Sequence, residues 1–134
     1  MTPITSGTIG WGILGPGSIA HQFATGLQSV GDAKLVAVGL TITIGFQAFF
    51  IMGGISRSQE KADAFADKFG APNRHASYEA LVADPAVHVI YISTPHPQHK
   101  EAAQLCLEHG KAVLCEKPFT VNAKEAEEVI ASAR

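Results

Sequence analysis

Apolar positions along this chain alternate between two spacings. Residues 9–14 (Ile-Gly-Trp-Gly-Ile-Leu) form a short apolar run that ends at glycine, which predicts a strand. Residues 18–30 then carry Ile19, Phe23, Leu27 and Val30 at helical spacing. A second buried strand is predicted over 33–38. Ala62, Phe65, Ala66 and Phe69 mark one face of a helix stopped by Gly70. Ser77 is a candidate N-cap for a helix over 78–82, ended by Asp84-Pro85, and the β-branched run 87–93 precedes Pro95. Residues 98–109 place Ala102, Leu105 and Cys106 on one stripe, and 112–115 reads as a strand. Asn122 with Glu125 makes a capping box for a last helix through Ala126, Val129 and Ile130.

Strands that are apolar on both faces and alternate with helices call for a parallel sheet covered on both sides. The predicted fold class is therefore doubly wound α/β, in one domain over residues 1–134. Such sheets bind ligands beyond the carboxyl ends of their strands. That rule directs attention to residues 15–20, the end of the second strand, 94–99 and 116–118.

One segment breaks the pattern. Residues 35–55 hold 21 consecutive uncharged residues, the length at which a membrane span must be weighed. Gly39, Thr41, Thr43, Gly45, Gln47, Gly53 and Gly54 dilute the run, and a span would remove the second strand from the sheet. Residues 40–55 read instead as an atypical apolar insertion, either a surface excursion or sequence introduced by a gene-model error, and dispensable for the fold.

Composition narrows the function. The 134 residues are 46% hydrophobic and 16% charged, which excludes intrinsic disorder. A net charge of -2 supplies no basic field for nucleic acid. Cys106 and Cys115 are too few for a disulfide framework or a zinc site, so a reducing, cytoplasmic setting is expected, and the first residues lack the pattern of a secretory signal.

Gly15-Pro16-Gly17-Ser18-Ile19-Ala20 is a G-x-G-x-x-A motif placed between a predicted strand and a predicted helix. Gly15 allows a tight turn, Gly17 lets a pyrophosphate approach the backbone, and Ala20 permits close helix–sheet packing. The alternative is an ordinary glycine turn. An NAD-binding domain would carry an acid at the end of the second strand, and none is present. With residues 40–55 set aside, Ser56-Arg57 occupies that slot, and a hydroxyl beside a guanidinium suits a ribose 2′-phosphate. That favours NADP over NAD, although Arg57 also fits a solvated charge at a helix start. Thr94, Pro95, His96 and His99 follow a strand where a loop would face ribose or substrate. The two histidines lack companions for a metal site, so no metal is expected. Glu116-Lys117-Pro118 ends the last strand, where a lysine can hydrogen-bond a substrate hydroxyl as hydride leaves. A solvated surface lysine fits equally by chemistry alone. Pro118 also raises the possibility of a cis bond.

Three strings together carry a resemblance: residues 11–17 (Trp-Gly-Ile-Leu-Gly-Pro-Gly), 91–99 (Tyr-Ile-Ser-Thr-Pro-His-Pro-Gln-His) and 110–118 (Gly-Lys-Ala-Val-Leu-Cys-Glu-Lys-Pro). The chain resembles the Gfo/Idh/MocA family over residues 7–39 and 56–134, and within it the branch of dimeric dihydrodiol dehydrogenase and NADP-dependent D-xylose 1-dehydrogenase. The resemblance implies a Rossmann domain that binds NADP through Gly15, Pro16, Gly17, Ser18, Ile19, Ser56, Arg57, Thr94, Pro95, His96, His99, Glu116 and Lys117. It implies Lys117 as the catalytic lysine and a sugar or trans-dihydrodiol hydroxyl as the group oxidised. In that family a following α/β domain supplies most substrate contacts and usually the dimer interface. Residues 40–55 match no element of it. A nucleotide-binding module without catalysis, and a protein anchored to a membrane by residues 35–55, are the readings from other classes.

Overall fold

The computed structural model describes residues 7–39, 55–75 and 77–134, with the side chains of 55–59 and 61 outside that description. Five parallel strands form one sheet in the order β3-β2-β1-β4-β5, made of β1 (Ile9–Leu14), β2 (Ala33–Gly39), β3 (Asn73–His75), β4 (Val89–Ile92) and β5 (Ala112–Cys115). The helices between them are α1 (Ser18–Leu27), α2 (Ile55–Phe69), α3 (Tyr78–Val82), α4 (His99–Glu108) and, after β5, α5 (Ala123–Ser132). Strand order reverses between β1 and β4. At that point the two outgoing connections part to opposite faces and leave a crevice above the sheet.

Two-residue alternation in the strands fills both faces. Ile13, Val38 and Tyr91 point to one side, where they meet Ala20 and Ala24 of α1 and Ala62, Phe65 and Ala66 of α2. Leu14, Ala37, Ile90 and Ile92 point to the other, against Leu81 and Val82 of α3, Ala102, Ala103 and Cys106 of α4, and Val129 of α5. The small residues of the α1 and α4 stripes let those helices approach the sheet closely.

Helix starts follow the expected chemistry. The Ser77 hydroxyl accepts the Ala80 N–H at 3.1 Å, and the Asn122 side chain accepts the Glu125 N–H at 2.9 Å. Glu125 returns a bond to the Val121 N–H at 3.0 Å, one residue earlier than the ideal capping box.

Several boundaries differ from the pattern. Helix α1 ends at Leu27 rather than Val30, because the chain turns over residues 28–32 to bring Ala33 into register with Ile9, and Val30 is left 45% exposed. Strand β4 starts at Val89 rather than 87: the His88 ring, through Nδ1, accepts the Gly10 N–H at 2.8 Å in place of a ladder bond. Strand β3 has no apolar signature. It is a polar edge held by side chains: Asn73 and His75 both donate to Asp84 Oδ2 at 2.8 Å, and Arg74 pairs with Asp67. Residues 40–54, and with them most of the expected insertion, lie outside the described residues. Residues 35–39 of the uncharged run belong to β2 and Ile55 begins α2, so the run is not one membrane-spanning helix. Among the described residues no helix is long and apolar enough to cross a membrane.

Candidate functional site

The β1–α1 turn is built around two glycines with different reasons. Gly15 has φ +85°, and a Cβ there would lie 3.0 Å from the backbone of Ser93 and Thr94. Only glycine fits that turn. Gly39, at the end of β2, accepts the Gly15 N–H at 3.4 Å, and a Cβ on it would sit 2.8 Å from Leu14 and 2.9 Å from Leu81. Its absence of side chain lets β2 close on the glycine turn.

Gly17 is the N-cap of α1, with no side-chain cap bond and open space where a Cβ would stand. Gly17, Ser18 and Ile19 are exposed. The first-turn amides of α1 therefore point at an open, uncapped surface, the arrangement that receives a phosphate oxygen. Ala20, fully buried, is the small residue that brings the helix down onto the sheet.

Beyond the ends of β4 and β5 lies a cavity of about 320 Å³ lined by Ile19, Ser93, Thr94, His96, His99, Glu116 and Lys117. Thr94 is 5% exposed and its hydroxyl is buried without a partner among the described residues. A larger groove of about 560 Å³ opens at the other end of the sheet between α1 and the start of β2, but among the described residues Lys34 is the only charged side chain on its wall.

The two histidines serve the walls of the cavity. His96 donates from Nε2 to the Thr120 carbonyl at 2.8 Å; His99, buried, sets Nδ1 against the Pro118 carbonyl at 2.8 Å and Nε2 against the Thr94 carbonyl at 2.9 Å. Both rings thus tie the loop after β4 to the loop after β5, and His99 has no ring nitrogen left for a cofactor. Pro95 opens the short 3-10 turn His96–Gln98, which leads into α4.

Glu116 is half-buried and its carboxylate accepts the Tyr91 hydroxyl and, at 3.2 Å, the Lys117 N–H. Lys117 is exposed, and its ammonium has no partner among the described residues. The Lys117–Pro118 bond is cis. Ser56 and Arg57 stand in the first turn of α2, whose helix packs on β2; their side chains lie outside the described residues. The cysteines are quiet: burial pushes the Cys106 thiol up to about 12 and Cys115 up to about 11.

Three residues that the sequence pattern left without a role prove to hold the site together. The Ser93 hydroxyl bonds the Gly15 carbonyl at 2.6 Å. Tyr91 holds Glu116. Lys111 donates to the carbonyls of Asp84 at 2.9 Å and Val87 at 2.7 Å, pinning the approach to β4. Ser93 lies next to the Thr94-Pro95 loop, so its position in sequence was a signal; the reach of Tyr91 and Lys111 was not.

Known proteins share both sequence and shape with this chain. It is 44% identical over 124 residues to trans-1,2-dihydrobenzene-1,2-diol dehydrogenase of Mus musculus, covering 92% of this chain and 33% of that protein. The Homo sapiens enzyme of the same name is 43% identical over 126 residues, with the same coverage. The chain thus spans about a third of the length of the curated relatives it matches. Among solved structures, KijD10, a 3-ketoreductase from Actinomadura kijaniata in complex with NADP, superposes with a TM-score of 0.77 at 27% identity, over 95% of this chain and 36% of that one. An NAD binding oxidoreductase from Klebsiella pneumoniae gives 0.76 at 26%, over 95% and 32%. Residues 9–134 match the family model described as oxidoreductase family, NAD-binding Rossmann fold. With its glycine turn, strand order and cavity already those of a dinucleotide-binding domain, the chain belongs to the GFO_IDH_MocA family of oxidoreductases.

Proposed function

We propose that this chain is the NADP-binding domain of a dehydrogenase that oxidises a secondary hydroxyl of a trans-dihydrodiol, or of a sugar such as D-xylose, by hydride transfer to the nicotinamide. The whole of residues 1–134 forms that one domain, with residues 40–55 inserted in it. The observation that carries this reading is the cavity above β4 and β5. Its lining, at the crevice of a doubly wound sheet, includes Thr94, Glu116 and a lysine, Lys117, whose ammonium has no partner among the described residues. The names of the relatives favour the diol over the sugar; NADP in the KijD10 structure favours that cofactor.

NADP, when bound, supplies the hydride acceptor. The chain's own residues do the rest on the cofactor side. Gly15, Pro16, Gly17 and Ser18 would present the turn and the α1 amides to the pyrophosphate, and Ile19 would give the cofactor an apolar stretch of the cavity wall. Ser56 and Arg57 take the 2′-phosphate by charge-assisted hydrogen bonds. Thr94 and Pro95, braced by His96 and His99, shape the cavity floor, and Glu116 offers a carboxylate to a ribose hydroxyl. Lys117, as the neutral amine, accepts the proton of the substrate hydroxyl as hydride leaves the carbon that bears it, and the ammonium so formed hydrogen-bonds the resulting carbonyl oxygen. The groups that hold the rest of the substrate, and any subunit interface, come from residues outside this chain.

The test is a pair of measurements. Titration of the chain with NADP and NAD should show tighter NADP binding. In a full-length context, with a substrate domain following this one, Lys117→Met should lower turnover by about 10²–10⁴-fold with little change in cofactor affinity. Turnover that survives this change removes the lysine from the reaction.

A further inference from the structure

Tyr91 is 3% exposed in β4, between β1 and β5, and takes no part in the glycine turn or the cavity wall. Its ring stacks on Phe23 of α1, with centroids 4.0 Å apart and planes 8° from parallel. The hydroxyl is the one polar atom of this buried side chain, and it donates to the carboxylate of Glu116 on the neighbouring strand end. Burial first, and the adjacent Glu116 second, push the phenol well above its ordinary value, so it remains a donor at any working pH. The other Glu116 oxygen accepts the Lys117 N–H at 3.2 Å. Each oxygen is therefore engaged, one by the Tyr91 hydroxyl and the other by the Lys117 N–H.

The consequence concerns charge. Among the described residues Glu116 is the only carboxylate lining the cavity, and besides Lys117 the other titratable groups there, His96 and His99, are committed to loop carbonyls. A carboxylate free to swing would pair with the adjacent ammonium, occupy its donors and hold its proton more tightly. We propose that Tyr91 is a positioning residue: by holding Glu116 against the Lys117 amide, its hydroxyl keeps that carboxylate off the Lys117 ammonium and leaves the lysine available to the substrate hydroxyl. This rests on Lys117 as the group that serves the substrate oxygen.

Tyr91→Phe keeps the ring and its stack and removes only the hydroxyl, so it isolates the effect. The first readout needs no turnover: the titration of the Lys117 ε-methylene followed by NMR in this chain. Its midpoint should rise by about one pH unit in Tyr91→Phe and return when Glu116→Gln is added, because the amide carries no charge to pair with the ammonium. In a full-length context, kcat near neutral pH should fall by about tenfold, KM and NADP affinity should stay within about twofold, and the ionisation in the pH profile should move with the Lys117 midpoint. An unchanged midpoint in Tyr91→Phe, or a rise that persists with Glu116→Gln, overturns the proposal. Should Tyr91→Phe fail to fold, Glu116→Gln in the native background decides the matter. The midpoint then stays near its native value if the carboxylate was already withheld, and a fall of a full pH unit overturns the arrangement. Turnover that survives Lys117→Met would sink the reading of the lysine while leaving the titration result intact, so the two failures are told apart.

Discussion

The hydroxyl of Ser93 donates to the carbonyl of Gly15 at 2.6 Å, joining the end of β4 to the glycine turn across 78 residues of sequence. Gly15 in turn accepts the Gly17 N–H at 2.9 Å. The turn is thus fixed from the neighbouring strand as well as by its own backbone. Ser93→Ala should weaken NADP binding several-fold and cost about 1 kcal/mol of stability, the ordinary net worth of one hydrogen bond. Calorimetric titration beside a thermal melt checks both, and an unchanged affinity would mean the turn holds its shape without β4.

Gly15→Ala should be the more damaging change. A left-handed φ strains an alanine, and its methyl group would press on the Ser93 carbonyl group at 3.0 Å. A loss of about 1–3 kcal/mol and of measurable cofactor binding is expected. Fluorescence titration with NADPH reports the binding, and urea unfolding the stability.

Arg57→Ala should weaken NADP by about tenfold or more and leave NAD nearly untouched, since a guanidinium at the ribose serves only the 2′-phosphate. An equal loss for both cofactors would remove Arg57 from that role.

Asp84 should govern stability in acid. Burial pushes its carboxyl up, but hydrogen bonds from His75, the Ala86 N–H and Asn73 outweigh that and hold it below the ordinary carboxylate value. A carboxylate depressed on folding adds stability above its unfolded value, and that stability is lost as pH falls through the folded value. Native protein should therefore lose stability below about pH 4, where Asp84→Asn, destabilised at neutral pH, should show a flatter profile. Urea midpoints measured from pH 3 to 7 test this.

The thiols should be inert while the fold is intact. With Cys106 at about 12 and Cys115 at about 11, little thiolate exists at pH 8. Labelling by a disulfide reagent should be slow in native protein and complete after unfolding; fast native labelling would contradict the burial.

The local pattern was enough for most of the architecture. Glycines that follow an apolar run, helical stripes of Ala and Leu, and caps at Ser77 and Asn122 are short-range signals, each decided by a few neighbouring residues, and β1, α1, β2, α3, β4, α4, β5 and α5 were all legible from them. The G-x-G-x-x-A turn and the 94–99 and 116–118 loops were also marked in advance, because a parallel sheet forces its loops to the carboxyl ends of the strands. Tertiary structure decided the rest. Strand β3 is a polar edge that pairs with β2 and is held by Asp84, beyond the next helix, which supplies an acceptor to Asn73 and His75, and no periodicity records that. The same holds for His99. Its sequence setting suggested a ligand contact, and packing adds a role that no spacing records, with the ring set between the Thr94 and Pro118 carbonyls. Hydrophobic spacing is a property of one element, whereas the partner of a buried polar group is fixed only when the sheet brings distant elements together.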